Sequence, residues 1–108
     1  MLEKALTSVS EMESAYHTWR NCPLTERKEV ISRIREKLLT HAEQYARAIT
    51  TDMNKPLAQA IAEVKKCATL CDYYLTHIDD FLRPQPLQRR LIESYVRLDP
   101  LGVLLAVM

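Results

Sequence analysis

Cys67 and Cys71 stand four residues apart in a stretch of helical pattern, with His77 two turns further on. Thiols and an imidazole at this spacing raise two chemistries, zinc ligation and a cysteine nucleophile. Structural zinc takes four N or S ligands, and the remaining candidates, Cys22, His17 and His41, fall on other predicted segments. A nucleophilic thiolate needs a base within hydrogen-bond reach, and a six-residue step turns His77 to a different helix face from Cys71. Cys71 also falls on an apolar stripe, so both thiols are read as small buried hydrophobes. Asp72, Asp79 and Asp80 crowd the end of the same segment and read as a solvated helix end rather than a cation site. Tyr16, Trp19, Tyr73 and Tyr74 suggest a stacking surface, but Tyr16 and Trp19 sit on an apolar stripe of their own, which assigns them to a core. There is no phosphate loop, no GxGxxG and no GxSxG. The residues alone therefore give no catalytic group and no metal ligand set.

The elements that would position these side chains are legible from periodicity. Leu2, Ala5, Val9, Met12, Tyr16 and Trp19 recur at steps of three and four, one stripe of a first helix that Asn21-Cys22-Pro23 ends. A second helix opens at Thr25 as N-cap, with Glu26 at the positive end of the dipole. Its apolar face is Ile31, Ile34, Leu38, Ala42, Tyr45 and Ile49, and Glu29–Arg33 and Glu43–Arg47 are favourable i,i+4 pairs on its wet side. Asp52-Met53-Asn54-Lys55 breaks the pattern, and Pro56 suits the first position of a third helix. That helix carries the longest stripe: Leu57, Ile61, Val64, Ala68, Cys71, Leu75, Ile78 and Leu82. Arg83-Pro84-Gln85-Pro86 predicts an extended connector. Residues 91–98 predict a strand with one wet face, and residues 103–108, reached through Pro100-Leu101-Gly102, predict a strand buried on both faces. The expected fold is mainly α: three amphipathic helices followed by one or two β-strands, the opening of an α/β protein. A dry strand needs neighbours that these residues do not supply, so the sequence is expected to be the front part of a larger protein, with self-association as the outcome when it stands alone.

Composition narrows the function classes. Of 108 residues 47% are apolar, enough for a core, and the formal net charge of +1 gives no concentrated basic face for nucleic acid. No apolar run approaches the roughly 18 residues of a membrane span. The first residues have no signal-peptide pattern, and three cysteines suit reduced thiols, so a cytoplasmic setting is expected. A single glycine is too few for the turns of a complete α/β enzyme domain.

The order of pieces resembles the N-terminal portion of the aldehyde dehydrogenase superfamily, nearest to the bacterial succinate-semialdehyde dehydrogenase type. Ala15-Tyr16-His17-Thr18-Trp19-Arg20 is similar to the family's Ala-x-x-Trp helix ending, and Arg27 stands at the family's arginine in the next helix. Asp52-Met53-Asn54-Lys55-Pro56 resembles the Glu-x-Gly-Lys-Pro junction, with Asn54 in the glycine's place, a residue that visits the left-handed region more readily than other side chains. Glu63-Val64 followed by Tyr73-Tyr74 keeps the family's spacing, and Tyr95-Val96-Arg97-Leu98-Asp99-Pro100-Leu101-Gly102-Val103 resembles the approach to the cofactor-binding domain.

The resemblance implies an N-terminal fragment of a three-domain α/β aldehyde dehydrogenase fold. Residues 1–83 would be the helical part of the cofactor-binding domain, 84–99 an extended connector and oligomerisation-type strand, and 100–108 the first strand of the dinucleotide-binding sheet. In whole members a cysteine thiolate attacks the aldehyde, hydride passes to NAD or NADP, and water releases the carboxylate. The residue matching Met108 touches the cofactor through its backbone, the strand element bridges the subunits of a homo-oligomer, and the surroundings of Ala62 and Lys66 line the aldehyde's route. None of Cys22, Cys67 or Cys71 matches the nucleophile. The chain by itself is thus expected to be inactive and to hold no cofactor. A small helical protein–protein interaction module with an apolar docking strand is the alternative.

Overall fold

The computed structural model describes residues 2–87 and 93–106, with side chains from residue 7 onward. The order is α1 (Leu2–Trp19), α2 (Leu24–Thr40), α3 (Ala42–Met53), α4 (Leu57–Leu82), β1 (Gln85–Leu87) and β2 (Ser94–Val96). Contacts divide the chain into two compact units: residues 24–81 form one, and residues 1–23 with 82–108 form the other.

In the first unit, α2, α3 and α4 enclose a core of small side chains. Ala46 and Ala60 are fully buried, with Ala42 and Val64 beside them and Leu38, Ile49, Leu57 and Ile61 packed around. Two ion pairs tie α2 to α4, Lys28 to Asp79 at 2.6 Å and Arg35 to Asp72. The basic members are seven residues apart on α2 and the acidic members seven apart on α4 in the opposite order, so the two helices run antiparallel. Each such exposed pair is worth about 0–1 kcal/mol. All eight residues of the stripe predicted for α4 are buried or half-buried.

The predicted second helix is two helices. His41, at φ −112° and ψ 23°, leaves helical geometry. The His41 N–H closes α2 on the Lys37 carbonyl (3.0 Å), and the His41 carbonyl opens α3 by accepting from the Tyr45 N–H (3.1 Å). The kink turns Ala42 and Ala46 into the core and leaves the predicted core residues Ile34 and Tyr45 exposed. Thr25 is not the N-cap, because α2 already begins at Leu24. The α3 end is as the sequence suggests: Asn54 is left-handed, at φ 54° and ψ 27°. Pro56 precedes α4 and its carbonyl accepts from the Ala60 N–H at 3.0 Å.

In the second unit α1 tightens at its end, where the Asn21 and Cys22 N–H groups donate three residues back to the carbonyls of Thr18 and Trp19. Of its predicted core stripe, Val9, Met12 and Trp19 are exposed and Tyr16 is half-buried, while Leu2 and Ala5 lie outside the described side chains. The predicted connector supplies β1, which pairs antiparallel with β2 in the register Gln85–Val96, Pro86–Tyr95, Leu87–Ser94. Pro86 has no N–H, which an edge strand tolerates. Tyr95 and Val96 are both exposed, while Leu91 and Ile92 of the predicted strand lie outside the described residues. Residues 103–106 form no strand ladder, and the run predicted to be dry is open: Leu104 is 81% and Leu105 90% exposed. A strand is defined by its paired neighbours, and among the described residues the tail has none. Residues 107 and 108, and with them the cofactor contact expected at Met108, lie outside the described residues.

Candidate functional site

The α4 helix has two sides with different composition. Val64 and Ala68 face the core, and the opposite side carries Ala62, Lys66 and Tyr73 in one row and Glu63, Cys67 and Leu70 in the next. With Lys55 and Thr69 these residues line an open, mostly apolar groove of about 700 Å³. Lys55, from the junction before α4, is ion-paired with Glu63, which fixes one end of the groove. Lys66 has no ion-pair partner among the described residues.

Tyr73 begins an aromatic row along α4. Its ring stacks on His77 (centroids 4.4 Å, planes 27° apart) and meets Tyr74 edge-on at 5.6 Å, and Phe81 continues the row beyond His77. The His77 Nδ1 lies 2.7 Å from the Tyr73 carbonyl oxygen. A carbonyl only accepts, so Nδ1 carries the proton and donates. The imidazole is thereby engaged in the row and not with either thiol.

The thiols separate. Cys71 is half-buried on the core stripe, as predicted, whereas Cys67 is exposed in the groove, correcting its reading as a buried hydrophobe. Asp72 and Asp79 are the acidic partners of Arg35 and Lys28, so the acids of α4 brace two helices. Among the described residues no three His, Cys, Asp or Glu side chains lie close enough to hold a metal ion. The groove thus offers an apolar wall, the Lys66 ammonium beside the paired Lys55, and one thiol: it can receive an elongated molecule with an anionic end, and its described side chains pair no nucleophile with a base.

A second set of contacts gathers where α1 meets the tail, within one unit. The Tyr16 hydroxyl donates to the Pro100 carbonyl at 2.9 Å, the Arg20 guanidinium lies 5.5 Å from the Tyr16 ring centroid, and Arg97 grips Asp99 through Nε (2.9 Å) and Nη2 (3.1 Å). The hydrogen bond and charge of Asp99 hold the Arg97 guanidinium protonated above its ordinary range. Gly102 takes φ +129°, a conformation side chains rarely adopt. Sequence reasoning assigned Tyr16 to a core stripe and missed this bond, whose partners are 84 residues apart. A phenol on an apolar stripe, needing a partner for its O–H, was the available signal.

The Aldehyde dehydrogenase family matches residues 2–108. The chain is 35% identical over 95 residues to the succinate semialdehyde dehydrogenase [NAD(P)+] of Escherichia coli, covering 88% of this chain and 21% of that protein. It is 30% identical over 96 residues to a probable succinate-semialdehyde dehydrogenase [NADP(+)] of Synechocystis, covering 89% and 21%. The fold superposes on the succinic semialdehyde dehydrogenase of Streptococcus pyogenes, solved with NADP+, at a TM-score of 0.78 and 32% identity, over 85% of this chain and 21% of that one. The chain therefore spans about a fifth of the length of these relatives. The interaction-module alternative finds no support, because the family match takes in helices, ribbon and tail alike. With a family match over residues 2–108 and a fold that superposes on about a fifth of a solved relative, this is an N-terminal portion of that fold, and the chain belongs to the aldehyde dehydrogenase family.

Proposed function

We propose that these residues serve an NAD(P)-dependent aldehyde dehydrogenase of the succinate-semialdehyde type, in which they build walls and supports rather than perform the chemistry. The observation that carries this reading is a family match through residues 2–108 joined to relatives of one named activity. In the proposed division, residues 1–83 are the helical part of the cofactor-binding domain, 84–99 bring a connector and an oligomerisation strand, and 100–108 enter the dinucleotide-binding sheet. The groove beside Ala62 and Lys66 lies on the aldehyde's route, where the Lys66 ammonium suits a substrate with a distal carboxylate.

NAD or NADP would accept hydride from the substrate. Met108 is the proposed contact with the cofactor: an aliphatic segment entered through Pro100-Leu101-Gly102 suits a strand of such a sheet, and ligands of open α/β sheets sit beyond the carboxyl ends of strands. The described residues supply no glycine-rich cradle for phosphates, so the 108-residue chain alone is proposed to hold no cofactor productively and to turn over no aldehyde. It is further proposed to reside in the cytoplasm, where the whole enzyme is a homo-oligomer. None of the described helices is long and apolar enough to cross a membrane.

The test replaces the matching segment of the Escherichia coli relative with residues 2–108 of this chain. The expected result is formation of reduced nicotinamide from succinate semialdehyde by the folded hybrid and none by the 108-residue chain. Turnover by the chain alone, or a folded hybrid inactive on succinate semialdehyde, would overturn the reading.

A further inference from the structure

The structure assigns to Tyr16 a positioning role: its hydroxyl, by holding the Pro100 carbonyl, sets the direction in which the apolar segment leaves the Pro100-Leu101-Gly102 turn. The inference rests on the proposed function for its consequence, since direction matters only if that segment enters a sheet, but its geometry stands by itself.

The hold on residues 97–102 centres on Pro100. The exposed Arg97–Asp99 fork lies just before it and adds little by itself. Pro100 has a fixed φ and no N–H, so its carbonyl is the one main-chain group through which it can be gripped. Tyr16 grips it, at 2.9 Å. The ring that carries this hydroxyl is itself placed from α1, with the Arg20 guanidinium 5.5 Å from its centroid. On its other flank Tyr16 Cε1 stands 4.0 Å from where a Gly102 Cβ would be, an ordinary contact distance, so the ring supports the turn without crowding it. Beyond Gly102 the described tail has no comparable hold: Leu104 and Leu105 are almost wholly exposed.

A strand advances about 3.3 Å per residue, so a small change of angle at Pro100 grows along the following residues. In open α/β sheets ligands sit beyond the carboxyl ends of strands. A bond at the root of this segment therefore bears on whatever is bound at its far end, and bears little on a reaction centre built from other elements. Tyr16 is a positioning residue in this sense and touches no reacting atom.

The experiment compares Tyr16→Phe, which keeps the ring and loses the hydroxyl, with the unaltered sequence in two settings. In the 108-residue chain, the backbone order parameters of Leu101 and Gly102 are expected to fall and the Leu101 amide resonance, which shares the peptide plane of the Pro100 carbonyl, to move. The order parameters of α4 are expected to stay unchanged. In the hybrid enzyme, KM for NAD(P) is expected to rise about two- to tenfold, the range that one net hydrogen bond supplies, while the aldehyde KM and kcat hold. An unchanged Leu101 resonance and unchanged order parameters at 101–102 would sink the inference whatever the hybrid does. So would a hybrid in which both KM values shift together, the mark of general loosening. A hybrid inactive before any substitution would count against the proposed function instead, and the resonance measurement would still decide the role of Tyr16.

Discussion

Asn54 sits at φ 54° and ψ 27° between α3 and α4, where most side chains are strained. Asparagine is among the few non-glycine residues that accept this conformation. Asn54→Gly is therefore expected to leave stability within a few tenths of a kcal/mol, the loss of a side chain offsetting relief of backbone strain. Asn54→Val, which puts a β-branched carbon in the left-handed region, is expected to lose about 1–2 kcal/mol. Chemical denaturation of the two variants checks both signs, and equal midpoints would show that the junction relaxes out of the left-handed geometry. Lys55 next to it is held by Glu63, so the junction is anchored to the first turns of α4 as well as shaped by its backbone. Neither residue belongs to an apolar pattern. Asn54 was legible through the resemblance, which set it in a glycine's place that few other residue types can fill, while the Lys55–Glu63 pair was not, since long flexible side chains leave their partners open.

At the scale of elements, the sequence was most readable where one face of a helix is fully covered. The α4 stripe from Leu57 to Leu82 is buried or half-buried throughout because its rhythm and its packing agree. The α1 stripe has the same rhythm, yet Val9, Met12 and Trp19 are open, since periodicity describes a face and not what lies against it. The kink at His41 was hidden for another reason: neither glycine nor proline marks it, and the apolar rhythm from Ile31 to Ile49 runs straight through it. Small residues were also under-read. Ala46 and Ala60 are the most buried side chains of the helical core, and they matter because they let helices approach closely, not because they contribute much apolar area. Ala46→Leu is thus expected to cost about 1–3 kcal/mol through overpacking, although it adds hydrophobic surface. A thermal melt decides it: a midpoint at or above that of the parent would mean the core has room that the burial of Ala46 denies. The candidate groove follows the same logic. Ala62 and Lys66 came from resemblance, whereas exposed Cys67, with Leu70 and Tyr73, had to be located by the actual rotation of α4 about its axis.

At the scale of the whole molecule, the two units differ in how they are strung together. Residues 24–81 are continuous, whereas the other unit is made from the two flanking stretches, with Tyr16 and Pro100 bonded across 84 positions of sequence. Residues 24–81 begin and finish at adjacent points, because Lys28 near the start touches Asp79 near the finish. Chain order within such a body is free to change: joining residue 81 to residue 24 by a short flexible linker and opening the backbone at His41 should give the same helical core. Circular dichroism of that permuted 58-residue body (81 − 24 + 1) is expected to match the helicity of residues 24–81 made in their natural order. A permuted form that is mostly coil would show that the closure at Lys28 and Asp79 depends on the flanking stretches. Topologically, then, the three helices are a loop tied off at its neck, a cassette that can be lifted from one host polypeptide and sewn into another without unpicking its interior.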